Sequence, residues 1–316
     1  MKKRTKITLC VGLFLFLCIA TVGSYTVGKF IAGKKAADVH KKIAKVSDEN
    51  KDFIGDKRIG EEITVMLVGN DKRDGEKEGR SDSLMVGYYN MKTKQPKLIS
   101  IMRDSYVQIP GHGLDKINAA YAYGGASLTK KVLNNSFKLP VNYYVSLKFD
   151  DFVHIIDDCY PKGIKINAEK ELDLDGVHIM PGKQIMHGNT LLQYARFRKD
   201  EEGDFGRIRR QQQVMTALTK QSKDLVSLVN LPKVLGEVLG IINTNLSSDV
   251  LVDVAKDFLL GKVKTTKCLS VPVKGSWNFN DNTPSGSVIE IDEGKNATAI
   301  SDFLKKRMIP NEKNNS

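Results

Sequence analysis

The sequence predicts a layered α/β domain behind a membrane-length apolar run, and three observations predict it. From Glu61 onward, short β-branched runs alternate with amphipathic helical patterns without internal repeats, as expected of helices packed on a sheet. Residues 7–28 carry no charge and are mostly apolar, a length that crosses a bilayer core as a helix. Five arginines, Arg196, Arg198, Arg207, Arg209 and Arg210, fall within fifteen positions. Planar guanidinium forks at that density suit a phosphate-rich ligand, or else form a solvated basic face paired with Asp200, Glu201 and Glu202.

At the N-terminus, Lys2, Lys3, Arg4 and Lys6 precede the apolar run, which by the positive-inside rule places the start of the chain in the cytoplasm. Residues 21–24 are small but offer no clean Ala-x-Ala site, so the run is expected to stay as an anchor and not to be cleaved as a signal peptide. The expected organisation is a cytoplasmic tail (1–6), a transmembrane helix (7–28), a charged spacer (29–60), an extracytoplasmic domain (61–309, motif core 61–222) and a polar tail (310–316). Residues 1–60 hold 13 Lys and Arg against 5 Asp and Glu, and the other 256 residues hold 36 against 32. Most of the net charge of +12 is therefore juxtamembrane, which fits anionic lipid or cell wall and predicts no nucleic-acid partner. Six residues ahead of the apolar run are too few for a helix-turn-helix. Cys159 and Cys268 are the cysteines outside that run; a free buried thiol is expected, with one disulfide as the alternative.

Taken in order, residues 63–68 form a β-branched strand bounded by Gly69 and Asn70, residues 83–89 a second strand and residues 97–101 a third, joined by a tight turn. Residues 106–109 form a short strand stopped by Pro110 and Gly111. Residues 118–123 and 127–137 read as helix with Gly124 and Gly125 between them. A strand at 141–147 precedes a helix from Asp150, a plausible N-cap, and a strand at 164–166. Residues 189–194 and 207–221 are helical, with Gly203 to Gly206 as the turn between the arginine arms. Asn230 and Pro232 open a helix whose apolar residues recur at three-four spacing. Residues 248–260 repeat that pattern, residues 263–273 form a late strand and residues 297–308 a closing helix.

Chemistry concentrates at strand ends, where α/β sheets build sites. Asp71 and Arg73 follow the first strand, Arg80 and Asp82 open the second, and Arg103 and Asp104 end the third. A loop between adjacent strands brings Asp71 and Asp82 together, as a Mg²⁺ site requires, or as neutralisation of Arg73 and Arg80 requires. Arg207, Arg210 and Gln211 share a helix face. Other motifs fail. Gly55 and Gly60 have P-loop outer spacing, but Glu61 and Glu62 replace Lys and Ser/Thr. The histidines are scattered, and no dinucleotide or nucleophile-elbow pattern exists.

These pieces, in this order, resemble the LytR-CpsA-Psr family. The matching stretches are residues 71–73, 80–83, 99–104, 116–121, 124–125, 143–145, 194–198, 203–207 and 210–212. The resemblance covers roughly residues 60–220. It implies a mixed central sheet sandwiched between helices, an apolar pocket for a lipid tail, and a type II membrane protein. It further implies a phosphotransferase that moves an anionic glycopolymer (wall teichoic acid or capsular polysaccharide) from a polyprenyl-pyrophosphate carrier to the C6 hydroxyl of N-acetylmuramic acid in peptidoglycan, without an obligate protein partner. Lipid-pyrophosphate hydrolysis and transcriptional attenuation are the alternatives.

Carried over by position, Asp71 and Asp82 would hold Mg²⁺. Arg73, Arg80, Arg103, Lys131, Arg196, Arg198, Arg207, Arg210 and Gln211 would contact pyrophosphate, with Lys130 competing with Lys131. Arg103 and Asp82 would be catalytic, as charge stabiliser and base. The apolar faces of 225–242 and 250–260 are expected to line the pocket. Met102 stands where the family usually has Pro, and residues 161–164 depart from the usual Gly-Gly-Val.

Overall fold

The computed structural model describes residues 52–70, 79–221, 236, 238 and 240–305. The apolar run 7–28, the loop with Asp71 and Arg73, the start of the helix pattern after Asn230 and the tail 310–316 lie outside the described residues. Among those described, no helix is long and apolar enough to cross a membrane.

A six-stranded sheet organises the molecule, in the order β11-β6-β1-β2-β3-β12. Its strands are β1 (Glu62–Asn70), β2 (Ser81–Asn90), β3 (Gln95–Ile101), β6 (Tyr143–Lys148), β11 (Asn243–Thr244) and β12 (Lys267–Val271). β1 is antiparallel to β2, and β2 to β3, while β6 lies parallel to β1 and β12 parallel to β3. The sheet is therefore mixed, and the C-terminal ends of β1, β3, β6 and β12 meet the start of β2 along one edge.

Strand alternation assigns the two faces. Met66, Val68, Leu84, Val86, Ile99 and Ile101 face one way, into a core with Val132, Leu133 and Phe137 of α1 (Ala119–Phe137) and Ile300 of α6 (Glu293–Lys305). Each such side chain contributes about 1.5–3 kcal/mol when fully buried. The alternate residues face α4 (Gly203–Lys220) and α5 (Ser248–Leu259). On that face Gln212 donates to Ser100 Oγ and Ser270 Oγ, both at 3.1 Å. Tyr89 donates to Asp257 on α5 at 2.9 Å. A smaller core joins α2 (Phe149–Cys159) and α3 (Gly188–Arg196) to the pairs β7 (Ile164–Ala168) with β10 (Gly182–Met186) and β8 (Leu172–Leu174) with β9 (Val177–Ile179). A four-stranded sheet, β13-β14-β4-β5, packs beside the edge; it contains β4 (Ser105–Ile109), β5 (Gly113–Lys116), β13 (Trp277–Asn280) and β14 (Val288–Ile291).

The expected glycine break lies inside α1, where Gly124 and Gly125 leave helical geometry and Gly125 takes φ +58°. Gly203 and Gly206 depart from expectation. They form the first turn of α4, not a hinge before it. A Cβ added at Gly206 would lie 3.0 Å from Glu202 Cβ and 3.1 Å from the Arg210 guanidinium, so a side chain there would crowd both. Cys159 is buried, Cys268 is half-buried, and no disulfide joins them.

Asp56 clasps the segment before β1 to α1 and β6. Its carboxylate accepts from Lys130 at 2.9 Å, Asn134 at 3.0 Å and the Val141 amide at 2.8 Å. Burial pushes this carboxyl up, but those three donors outweigh burial and hold it below its usual value. A depressed carboxyl stabilises the fold above its unfolded pKa and loses that contribution as pH falls through its folded value. Asp56→Ala is expected to cost about 1–3 kcal/mol in urea unfolding at pH 7. The gap from wild type should close as pH drops below about 4.

Candidate active site

The converging strand ends carry the site. β1 pairs Gly69 with Ser83 and Asn70 with Ser81, so Asp82 is the extra residue of a bulge. Bulges re-aim side chains beside active sites, and this one delivers Asp82 to Arg103. Arg103 stands two residues past β3. Its backbone is fixed by Met102 N–H to Val271 O at 2.8 Å and by Asn118 N–H to its own carbonyl at 3.2 Å.

Arg103 Nη1 lies 2.6 Å from Asp82 Oδ1, and its Nε lies 3.4 Å from Asp104 and 3.9 Å from Asp204. Asp204, in the first turn of α4, also holds Arg207 Nη2 at 2.7 Å. Lys116 holds Asp104 at 3.1 Å, and Ser83 donates to Gln211 Oε1 at 3.2 Å. One network thus links the ends of β2 and β3 to two turns of α4. Burial opposes the Arg103 charge, but Asp204, Asp104 and Asp82 outweigh it and raise its pKa. Burial lowers that of Arg207. Burial also raises that of Asp204, aided by Asp104 and Asp82 against the two arginines. Arg103 Nε and Arg207 Nε are buried without a hydrogen-bond acceptor among the described residues.

The structure brings together Asp82, Arg103, Arg207 and Gln211 from the sequence-derived set. Arg80 is exposed at the start of β2, close enough for its charge to act on Asp115 and Tyr123. Arg196 closes α3, donates to Asp175 at 3.0 Å and lies 4.9 Å over the Phe149 ring. Arg198 and Lys131 are exposed. Lys130, the competitor, is taken by Asp56. Asp71 and Arg73 lie outside the described residues. Arg210 has no exposed surface. Its guanidinium donates to Phe197 O at 2.6 Å and to Asp200 at 3.2 Å. That enclosure removes it from the clamp. Arg209 pairs on the surface with Glu169 and Glu202.

Sequence reasoning missed Asp204, Lys116 and Ser83 as members of the network. Asp204 carried a signal, since an acid three residues before Arg207 on a helix meets it.

An apolar cavity of about 240 Å³ opens between this face of the sheet and the two helices, lined by Val65 and Leu67, by Met215 and Thr219 of α4, and by Val250, Val254 and Phe258 of α5. Of the two segments expected to line a pocket, 250–260 lines this apolar cavity, whereas most of 225–242 lies outside the described residues.

Burial separates the two neighbouring arginines. Arg210→Met is expected to cost about 1–3 kcal/mol in urea unfolding, because it leaves the buried Phe197 carbonyl without its donor, while Asp200 keeps Lys170 at 2.8 Å. Arg209→Ala should cost about 1 kcal/mol or less.

The LytR_cpsA_psr family profile matches residues 26–299. The chain is 39% identical over 281 residues to the regulatory protein MsrR of Staphylococcus aureus, across 89% of this chain and 84% of that one. It is 35% identical over 241 residues to the polyisoprenyl-teichoic acid–peptidoglycan teichoic acid transferase TagU of Bacillus anthracis, across 75% of this chain and 78% of that one. Among solved structures, TagT (YwtF) with bound octaprenyl pyrophosphate matches with a TM-score of 0.58 at 25% identity, across 83% of this chain and 96% of that one. Profile, relatives and fold agree over the stretch that carries the arginine–aspartate network, and the chain belongs to the LytR-CpsA-Psr family.

Proposed function

We propose that the protein is a phosphotransferase of the cell envelope. It moves an anionic glycopolymer, of the wall teichoic acid or capsular polysaccharide type, from a polyprenyl-pyrophosphate carrier to the C6 hydroxyl of N-acetylmuramic acid in peptidoglycan. The observation that carries this reading is the order of features along α4. Met215 and Thr219 face the apolar cavity, and Gln211 and Arg207 enter the charged network about one to two turns earlier. A prenyl tail in the cavity would place its pyrophosphate among the guanidiniums. Two relatives support this reading: TagU is named as a teichoic acid transferase to peptidoglycan, and TagT holds an octaprenyl pyrophosphate lipid.

In the proposed reaction the acceptor oxygen attacks the glycan-side phosphorus, the bond to the bridging oxygen breaks, and prenyl phosphate leaves with that electron pair. Arg103 and Arg207 stabilise the charge that builds on the phosphates. Arg80, Arg73, Arg196, Arg198 and Lys131 complete the positive field. We assign the acceptor proton to Asp82, with the product phosphate as the alternative acceptor. Carboxylate oxygen donors fit a hard cation, and Asp82 at the open sheet edge, with Asp71 from the adjoining loop, would hold Mg²⁺. When bound, that ion neutralises phosphate charge. We place the domain outside the cell, on a single-pass type II anchor at residues 7–28.

The test mixes the full chain in lipid nanodiscs with a polyprenyl-pyrophosphate glycan, peptidoglycan oligomers and Mg²⁺, and reads products by mass spectrometry. A phosphodiester-linked glycan on muramic acid is expected. Free glycan phosphate without conjugate, across several donors and acceptors, would identify a hydrolase instead. Arg103→Ala is expected to slow transfer roughly 10²- to 10³-fold; near wild-type transfer would remove Arg103 from this role.

A further inference from the structure

An aromatic stripe leads away from the charged network. Phe205 follows Asp204 on α4, and its ring centroid lies 5.0 Å from that of Trp277 on β13. Trp277 in turn meets Phe279 edge-on at 4.9 Å. Trp277 and Phe279 are two apart on a strand, so they share one face, opposite Ile291 and Ile289 of β14. The inner end of this face packs on Met102, the residue before Arg103, and on Ile208. Ile289 N–H is tied to Asp104 O at 2.9 Å. The outer end is open: among the described residues β13 is an edge strand, and Phe279 is 63% exposed. The row therefore ends in an exposed aromatic ring, with its inner end beside the charged network.

We propose that Phe205, Trp277 and Phe279 form a platform on which the acceptor glycan stacks. This deepens the transferase reading and rests on it for the identity of the acceptor. A pyranose presents C–H groups on its faces and hydroxyls at its rim, and aromatic faces carry the negative end of a quadrupole that attracts such C–H groups. Position selects the acceptor over the donor. Attacking and leaving oxygens lie roughly in line in phosphoryl transfer, so the acceptor approaches from the side of the phosphates opposite the departing prenyl chain. Along α4 the cavity residue Met215 and Phe205 are about 15 Å apart at 1.5 Å rise per residue, with Gln211 and Arg207 between them. The aromatic row thus begins on the acceptor side. An open edge strand also lets a long polymer run past.

Trp277 is the only tryptophan in the chain, so its emission reports on the platform without any need for turnover. The full chain in lipid nanodiscs is titrated with peptidoglycan glycan oligomers, and separately with a prenyl-pyrophosphate disaccharide. The platform predicts a saturable change of Trp277 emission with the oligomers. Phe279→Ala should weaken it about five- to tenfold, Phe279→Tyr should retain it, and Arg209→Ala, which removes only surface pairs with Glu169 and Glu202, should leave it intact. No saturable change, or equal affinity in Phe279→Ala, overturns the proposal. A Phe279-dependent response to the donor alone overturns the acceptor assignment. Glycan binding at Trp277 without product in the transfer assay sinks the transferase reading but not the platform. Transfer with an unchanged acceptor KM in Phe279→Ala sinks the platform but not the transferase.

Discussion

Arg103 is enclosed by three carboxylates, and the site is built around that constraint. Taking a guanidinium out of water is costly, and breaking a buried pair by losing one partner typically costs about 3–5 kcal/mol. Here Asp82, Asp104 and Asp204 come from a bulge, a strand end and a helix start. The charge can be buried only if the sheet edge and α4 arrive together. The same carboxylates orient the guanidinium before any ligand binds, so its alignment costs no reorganisation when phosphate charge develops.

The two faces of the central sheet divide the work. Toward α1 and α6, residues such as Met66, Val86 and Ile99 are fully enclosed. That close-packed side supplies rigidity. Toward α4 and α5, Gly87 lines the cavity that Val254 and Phe258 face. Gln212 and Tyr89 pin the helices across this looser layer by hydrogen bonds. The open volume therefore sits between fixed walls, next to the charged edge.

Much of this was legible in the sequence. The first three strands are β-branched runs with clear stops, and Arg103, Asp82, Arg207 and Gln211 fall at a strand end, a strand start and one helix face. Arg210 shares that spacing with Arg207, but spacing carries no information on depth. What decides is the close approach at Gly206 and the turn that brings Phe197 O and Asp200 to the Arg210 guanidinium. The strands β5, β13 and β14 escaped notice because each has four residues. Runs that short show too little alternation to stand out, and these gain their pairing from the edge they pack beside. The aromatic stripe was invisible for the same reason, since Phe205 and Trp277 are 72 positions apart and meet only through that small sheet.

The most direct test of the central claim is a crystal structure of the protein with a prenyl pyrophosphate bound. If the carboxylates pre-align the guanidiniums for phosphate, the Arg103 and Arg207 guanidiniums will contact phosphate oxygens. The tail will lie between Met215 and Val254, and Arg210 will remain on Phe197 and Asp200. A pyrophosphate bound elsewhere, with the Arg103–Asp82 and Arg207–Asp204 pairs untouched by it, would contradict the account.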